Sequence, residues 1–401
     1  MRQSNRTALR PWLVAVLLGL AYSLLVIAIN SGDPLALVTI GTRFSEGIPE
    51  AAGGTEGYDG QFVYFIASDP GRAPDLIRAG GDVPAYRFQR ILLPALARAA
   101  SFGSDNLIPW ALLAINLGAL GLGTAALEAL LVAGGVSRWY ALGYALSLAA
   151  LGTVRLALPE PLAYGLALTG LLLATRDRWL WAAVVFALAG LAKETALVFP
   201  AAAGLLLLAR RRWLLAVAFG LMALAPFIAW QAFLYSQFNT FGVGSGGAGA
   251  TAFTLLPFGG VLAIVAEGVQ AMNEGIQAGN ITLPGGLLRL ALALSIFAVI
   301  LVPFALLPTV WGLRRCWQTI RAGTFDLFTA LLLLNALVML FVPFSTYREP
   351  LGILRFIAGL QIAVILFAAQ HGSRRALRYT PLWASTMLFL LLSDLAGGTP
   401  G

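Results

Sequence analysis

Uninterrupted apolar runs of membrane-spanning length constrain this chain more than any other feature. Residues 11–30 read PWLVAVLLGLAYSLLVIAIN. About 20 such residues in a helix cross the hydrocarbon core of a bilayer. A helix also satisfies every backbone polar group within the run itself, which an open strand cannot do in lipid. Further apolar runs cover residues 107–133, 138–155, 160–175, 179–192, 195–209, 213–236, 285–312, 326–344, 350–370 and 379–396. These predict an all-α polytopic membrane protein of about eleven transmembrane helices, one transmembrane domain over residues 1–401. Charge content agrees: 11% of residues are charged, against about 25% in a soluble domain. A transmembrane β-barrel alternates apolar and polar residues over segments of about ten, and these runs do not alternate.

Residues 11–30 are read as a signal anchor, because the apolar run is long and no A-x-A cleavage site follows it. The runs between 138 and 209 are short. The pair 179–209 is either two spans or a re-entrant hairpin; its flanks RDR (176–178) and RRR (210–212) face the same side in both cases. Placing the N-terminus in the cytoplasm puts Arg2, Arg6, Arg10, Arg138, Arg176, Arg178, Arg210, Arg211, Arg212, Arg314, Arg315, Arg321, Arg374, Arg375 and Arg378 in short inner connections. That arrangement satisfies the positive-inside rule.

Two long loops then face outward. The first covers residues 31–106. The second covers residues 237–284, where the flexible tract GVGSGGAGA (242–250) precedes LLPFGGVLAIVAEGVQAMNEGI (255–276), read as interfacial rather than spanning. No inverted repeat of the transporter type is visible.

Several chemistries are excluded. A single cysteine, Cys316, leaves no disulfide framework and no multi-cysteine zinc site. A single histidine, His371, leaves little for a histidine-based metal site or triad. P-loop, dinucleotide-binding, HExxH and GxSxG patterns are absent. The net charge of +8 sits mostly beside span ends, so nucleic acid is not an expected partner.

Ionisable residues cluster on the outer face, where each is a functional candidate because such groups are costly near lipid. Asp59 lies in GYDGQFVYFIASDP (57–70), Glu160 in LPEP (158–161), Lys193 and Glu194 in AKET (192–195), and Arg348, Glu349 and Arg355 in STYREPLGILR (345–355). Asp-Gly is also a common turn pair, so a turn role for Asp59 competes with a functional one. Phe62, Phe65 and Ile66 follow it at helical spacing and predict a helix lying on the membrane. Lys193 is the only lysine; an ion pair or snorkelling competes with ligand binding. Arg355 falls within a span and needs a partner, for which a phosphate would serve. Arg87 and Arg90, in AYRFQRILLPALARAA (85–100), share a helix face. Tyr58, Gln61, Tyr64, Asp69 and Tyr347, with Glu160, Glu194 and Glu349, are the supporting candidates.

GYDGQFVYFIASDP followed by YRFQRILLP resembles the first-loop pattern of GT-C-type membrane glycosyltransferases. The similarity is nearest to bacterial relatives of the GPI mannosyltransferases. LAKETALVFP (191–200) and YREPLGILRFIAGL (347–360) resemble segments of bacterial proteins of this group linked to cell-surface glycopolymers. The resemblance implies an inverting enzyme at the outer face of the bacterial cytoplasmic membrane. It would move a sugar, a mannose-like hexose or a pentose, from a polyprenyl-phosphate donor to a glycan or lipid acceptor. The catalytic base of the first loop would be Asp59, and the donor phosphate would meet Lys193, Arg348 and Arg355, with Arg87 and Arg90 behind them. Some relatives pair acidic residues around a metal. Here Asp59 has no acidic neighbour nearer in sequence than Glu56, so no metal or other cofactor is expected. A flippase for lipid-linked sugars and a non-catalytic subunit of a surface-polymer assembly machine stand as alternatives.

Overall fold

The computed structural model describes residues 9–247, 250–251 and 254–396. Arg2 and Arg6, used above for orientation, lie outside the described residues, as do residues 248 and 249 of the glycine-rich tract. Among the described residues the chain is helical, with one isolated antiparallel bridge between Ile40 and Gly57.

Five helical segments are long and apolar enough to cross a membrane: Pro11–Ile29, Ile108–Ala133, Trp213–Phe238, Leu283–Arg321 and Pro350–Gln370. Shorter apolar helices cover Glu160–Ala174, Trp179–Ala192, Glu194–Ala209 and Leu327–Leu340. This is a multi-pass, all-α membrane architecture. The Ile108–Ala133 helix is its central strut and packs on Pro11–Ile29 and on Glu160–Ala174. Gly123 and Gly165 set that second contact: a Cβ on Gly165 would lie 2.5 Å from the Ala119 carbonyl oxygen. Small residues let helix backbones approach closely where lipid supplies no hydrophobic drive. Glu128 of the central helix accepts a hydrogen bond from the Trp12 amide at 2.6 Å, capping the first helix where its N–H groups are unpaired.

The run 138–155 is not one straight span. It folds as a 3₁₀ turn (Arg138–Ala141), a short helix (Leu142–Ala145), a π turn (Leu148–Gly152) and a last turn (Thr153–Arg155). The break before the π turn is buried, and side chains satisfy it: Thr386 accepts from the Leu148 amide at 2.9 Å, and Ser147 donates to Gln361 at 3.1 Å. Irregular backbone survives at membrane depth when protein covers it. A short turn carrying Lys193 and Glu194 joins Trp179–Ala192 to Val198–Ala209; the first packs mainly on Glu160–Ala174 and the second on Leu327–Leu340. At 1.5 Å per residue, helices of 14 and 12 residues reach about 20 Å, short of the ~30 Å core.

The first loop folds back onto the bundle. Gly60–Ser68 is helical, as its spacing predicts, but its apolar face meets protein. Its Phe62, Phe65 and Ile66 are buried in a core of their own with Phe44, Ala73, Ile77, Phe88 and Leu234. The loop's other helices cover the apolar face that the sequence alone would assign to the membrane. In the second loop, Gly259–Gln277 is a largely exposed helix outside the spanning set, packed on Leu283–Leu301 and Phe344–Arg348.

Candidate functional site

Asp59 stands at the start of the Gly60–Ser68 helix, with right-handed backbone angles and no capping bond from its side chain. Its carboxylate therefore serves no local turn. The following glycine is required by a close approach: a Cβ on Gly60 would lie 2.3 Å from the Leu156 carbonyl oxygen. Only glycine lets the loop backbone press onto the bundle there, and that contact brings Asp59 over the helix ends. Gln61 fixes the same junction from below, accepting from the Gly41 amide and donating to the Glu56 carbonyl, both at 3.0 Å.

The Asp59 carboxylate is held by two guanidinium groups, Arg87 at 2.7 Å and Arg355 at 2.9 Å. Arg355 also reaches Glu160 at 2.9 Å and donates to the Tyr58 hydroxyl at 2.8 Å. Tyr58 in turn donates to Glu349 at 3.0 Å. Glu160 is fully buried; its Oε1 also accepts from Lys193 at 2.6 Å. The chain of charges thus joins the first loop, the Glu160–Ala174 helix, the turn at Lys193 and the Pro350–Phe356 helix. Beside it, Arg90 holds Glu194 through two bonds of 3.0 and 2.7 Å and donates to Tyr86 at 3.3 Å. Arg87 lies 3.9 Å from the Phe62 ring centroid and binds Asp82 at 2.6 Å.

Burial by itself would push the Asp59 carboxyl up. The charges of Arg87 and Arg355, with Arg90 behind, outweigh it and hold the group well below the usual carboxylate range. Tyr58 is pushed well above its ordinary value, by burial first, so it acts as a neutral donor. Asp59 keeps 28% of its side chain accessible, which leaves it an open edge that Glu160 lacks. The cavity against that edge is about 20 Å³, lined by Asp59, Phe62, Arg87, Arg90 and Pro159. That is room for about one water.

The structure brings Asp59, Arg87, Arg90, Glu160, Lys193, Glu194, Arg355, Tyr58 and Glu349 together. It leaves other candidates elsewhere. Arg348 is exposed, 5.5 Å from the Phe344 ring, and in none of these ion pairs. Tyr347 is buried and donates to the Met339 carbonyl at 2.7 Å, a bond that holds a turn. Asp69 accepts from the amides of Gly71 and Arg72 at the end of its helix. Tyr64 meets Phe65 edge to face, 6.1 Å between centroids. Asp82 and Tyr86 belong to the cluster without having been singled out in the sequence. Among the described residues no group of three or more His, Cys, Asp or Glu side chains could hold a metal ion.

A second buried network went unmarked as well. Asp394 binds Arg155 through two bonds of 2.6 and 2.9 Å and accepts from the Tyr22 hydroxyl. Arg155 also donates to Thr39 at 3.1 Å and to the Ala36 carbonyl at 3.2 Å. It ties the first helix, the last helix and the start of the first loop together.

No protein-family model, no curated protein and no solved structure matches this chain.

Proposed function

We propose that this protein is a membrane glycosyltransferase of the GT-C type, with about eleven spans and its site outside the bacterial cytoplasmic membrane. In this reading the donor is a polyprenyl-phosphate sugar and the acceptor a cell-envelope glycan or lipid. The acceptor oxygen forms a bond to the anomeric carbon as that carbon's bond to the phosphate oxygen breaks. The phosphate leaves with the electron pair. Asp59 takes the acceptor proton, the role a positioned carboxylate fills in general base catalysis. Arg87, Arg355 and Lys193 carry the charge that grows on the leaving phosphate. The observation that supports this most is the setting of Asp59: a carboxylate with one open edge, free of local turn duties, among guanidinium groups drawn from distant segments.

The pairing also sets a condition on the reaction. Asp59 now fills the anion position between Arg87 and Arg355, and a carboxylate held so low is a weak base. A donor phosphate that takes over those arginines releases Asp59 and returns its carboxyl toward the ordinary range. Donor binding then arms the base.

A second reading has its own support. Each of Arg87, Arg90, Lys193 and Arg355 already has a carboxylate partner, so the cluster could serve only to clasp the first loop to the bundle of a flippase or an assembly subunit. Sugar transfer by purified protein in detergent, from a panel of radiolabelled polyprenyl-phosphate sugars, decides between them. Transfer by the wild type with a loss of about a hundredfold or more in Asp59→Asn supports the enzyme. Equal transfer by both proteins removes Asp59 from the chemistry. Binding of the lipid donor without transfer by either favours the flippase.

A further inference from the structure

The opposite end of the bundle carries a basic concavity that the proposed reaction does not use. From Arg355 the chain runs through the Ala358–Gln370 helix to Arg374. At 1.5 Å per residue that path separates the concavity from the charge cluster by more than about 20 Å. Gly135, Val136, Ser137, Tyr140, Arg374, Leu377 and Arg378 line it. Its volume is about 330 Å³, at the lower end of the roughly 300–1,000 Å³ of ligand pockets.

Three observations bear on its occupant. Arg374 and Arg378 are one helical turn apart in the Arg374–Tyr379 helix and both line the hollow, so their charges converge. Among the described residues neither forms a salt bridge. This contrasts with the charge cluster around Asp59, where Arg87, Arg90 and Arg355 each have a carboxylate partner. Asp326, the carboxylate bound by His371 at the end of the Ala358–Gln370 helix, is occupied by the Thr329 amide at 2.8 Å and by His371 at 3.1 Å. Ser137 and Tyr140 add hydroxyl-bearing side chains to the lining and Leu377 an apolar one; the Ser137 oxygen also accepts from the Trp139 amide at 3.4 Å. Trp139, half exposed beside Ser137, is the residue type found at the headgroup level of membranes.

We propose that this concavity binds the phosphate headgroup of an anionic phospholipid, with Arg374 and Arg378 on the phosphate and Ser137 and Tyr140 on its oxygens or the glycerol hydroxyls. Two guanidinium groups without a carboxylate partner match a headgroup of net negative charge better than a zwitterionic one, whose phosphodiester carries a cation of its own. The lipid joins the connection after the central Ile108–Ala133 helix to the one after Ala358–Gln370. It therefore braces the bundle at the end away from the reaction.

Native mass spectrometry of the full chain in detergent tests this, with phosphatidylglycerol and phosphatidylcholine offered at equal concentration. One phosphatidylglycerol retained in preference to phosphatidylcholine is expected. Arg374→Gln/Arg378→Gln should lower its occupancy about tenfold or more, since each cation near an anionic lipid contributes about 1 kcal/mol. Ser137→Asp keeps both arginines but sets a carboxylate beside them. It should lose the lipid too, and it covers the case in which the double variant fails to fold. Arg210→Gln/Arg211→Gln, on another basic connection, should retain it. Equal loss in that control, or retention in Ser137→Asp, would overturn the site. Thermal stabilisation by inorganic phosphate that phosphatidylglycerol does not exceed would assign the hollow to a soluble phosphate ester and overturn the lipid assignment.

Discussion

Asp59 and Glu160 share one guanidinium: Arg355 reaches Asp59 at 2.9 Å and Glu160 at 2.9 Å. One carboxylate belongs to the first loop and the other to a helix of the bundle, so Arg355 is the rivet between them. Removing one partner of a buried, hydrogen-bonded pair leaves the other charge uncompensated and costs about 3–5 kcal/mol. Arg355→Met is expected to lower the melting temperature in detergent and to speed protease cleavage within residues 31–106. Arg348→Met, exposed and outside the network, should leave both unchanged. Identical cleavage of the two variants would show that the rivet does not hold the loop.

The position of Asp59 between Arg87 and Arg355 makes it a competitor of any incoming phosphate. Its removal has opposite effects on binding and on chemistry. A hydrogen bond to a charged group contributes about 1.5–3 kcal/mol, so Asp59→Asn should bind polyprenyl phosphate about tenfold more tightly while transferring sugar far more slowly. Titration calorimetry on wild type and variant reads the first effect. Weaker binding by Asp59→Asn would mean that the carboxylate organises the arginines instead of occupying their site.

How much of this was legible in the sequence differs by level. The apolar runs marked the helical segments well, because hydropathy registers burial of any kind. They did not reveal that 138–155 breaks into turns, since the breaks depend on Thr386 and Gln361 meeting them from the other end of the chain. The spacing of Phe62, Phe65 and Ile66 marked an apolar helix face but not what covers it. Ionisable residues near lipid stood out one by one on cost alone. Their pairing did not: Lys193 bypasses its neighbour Glu194 for Glu160, and Glu194 is taken by Arg90. Asp82, in GGDVP (80–84), lies on the loop surface in sequence terms, and only the fold sets it against Arg87. The Arg155–Asp394 pair did carry a signal, a charged residue inside each of two apolar runs, and the same cost argument would have found it.

Lys193 and Glu160 provide a test of coupling. Glu160 accepts from both Lys193 and Arg355 through Oε1, and its Oε2 is buried with no hydrogen-bond partner among the described residues. Lys193→Met should destabilise strongly, because it strips the carboxylate of one of its two cations. Glu160→Gln/Lys193→Met should be less destabilised than the sum of the single variants by about 0.5–3 kcal/mol, the range for residues in direct contact. Simple additivity in thermal or chemical unfolding would rule out the pair as an energetic unit.

The Tyr22–Asp394–Arg155 network should behave as pure scaffold. Asp394→Asn leaves the Arg155 guanidinium buried without its carboxylate, and a loss of about 3–5 kcal/mol is expected. Sugar transfer per folded molecule should stay at the wild-type level, since none of these groups touches the Asp59 cluster. Transfer assays normalised to the monodisperse fraction from size-exclusion chromatography separate the two effects. A fall in specific transfer would extend the site to this network.

The depressed Asp59 carboxyl fixes the sign of the pH dependence. A carboxylate whose folded value lies below its unfolded value, about 4, stabilises the folded state above that pH. The contribution is lost as pH falls toward the folded value. Cleavage within residues 31–106 should therefore stay flat from pH 8 down to about 5 and rise only in stronger acid. Under the proposed function, catalysis would read the same group in two states. The acidic limb of kcat/KM reports the free enzyme, in which Arg87 and Arg355 hold Asp59 low, so that limb should lie below pH 4. The limb of kcat reports the donor complex, in which the phosphate has taken over those arginines and the carboxyl has risen. The kcat limb should sit at the higher pH. Coincident limbs would show that Asp59 keeps its arginines throughout the cycle, and the arming of the base by the donor would have to be abandoned.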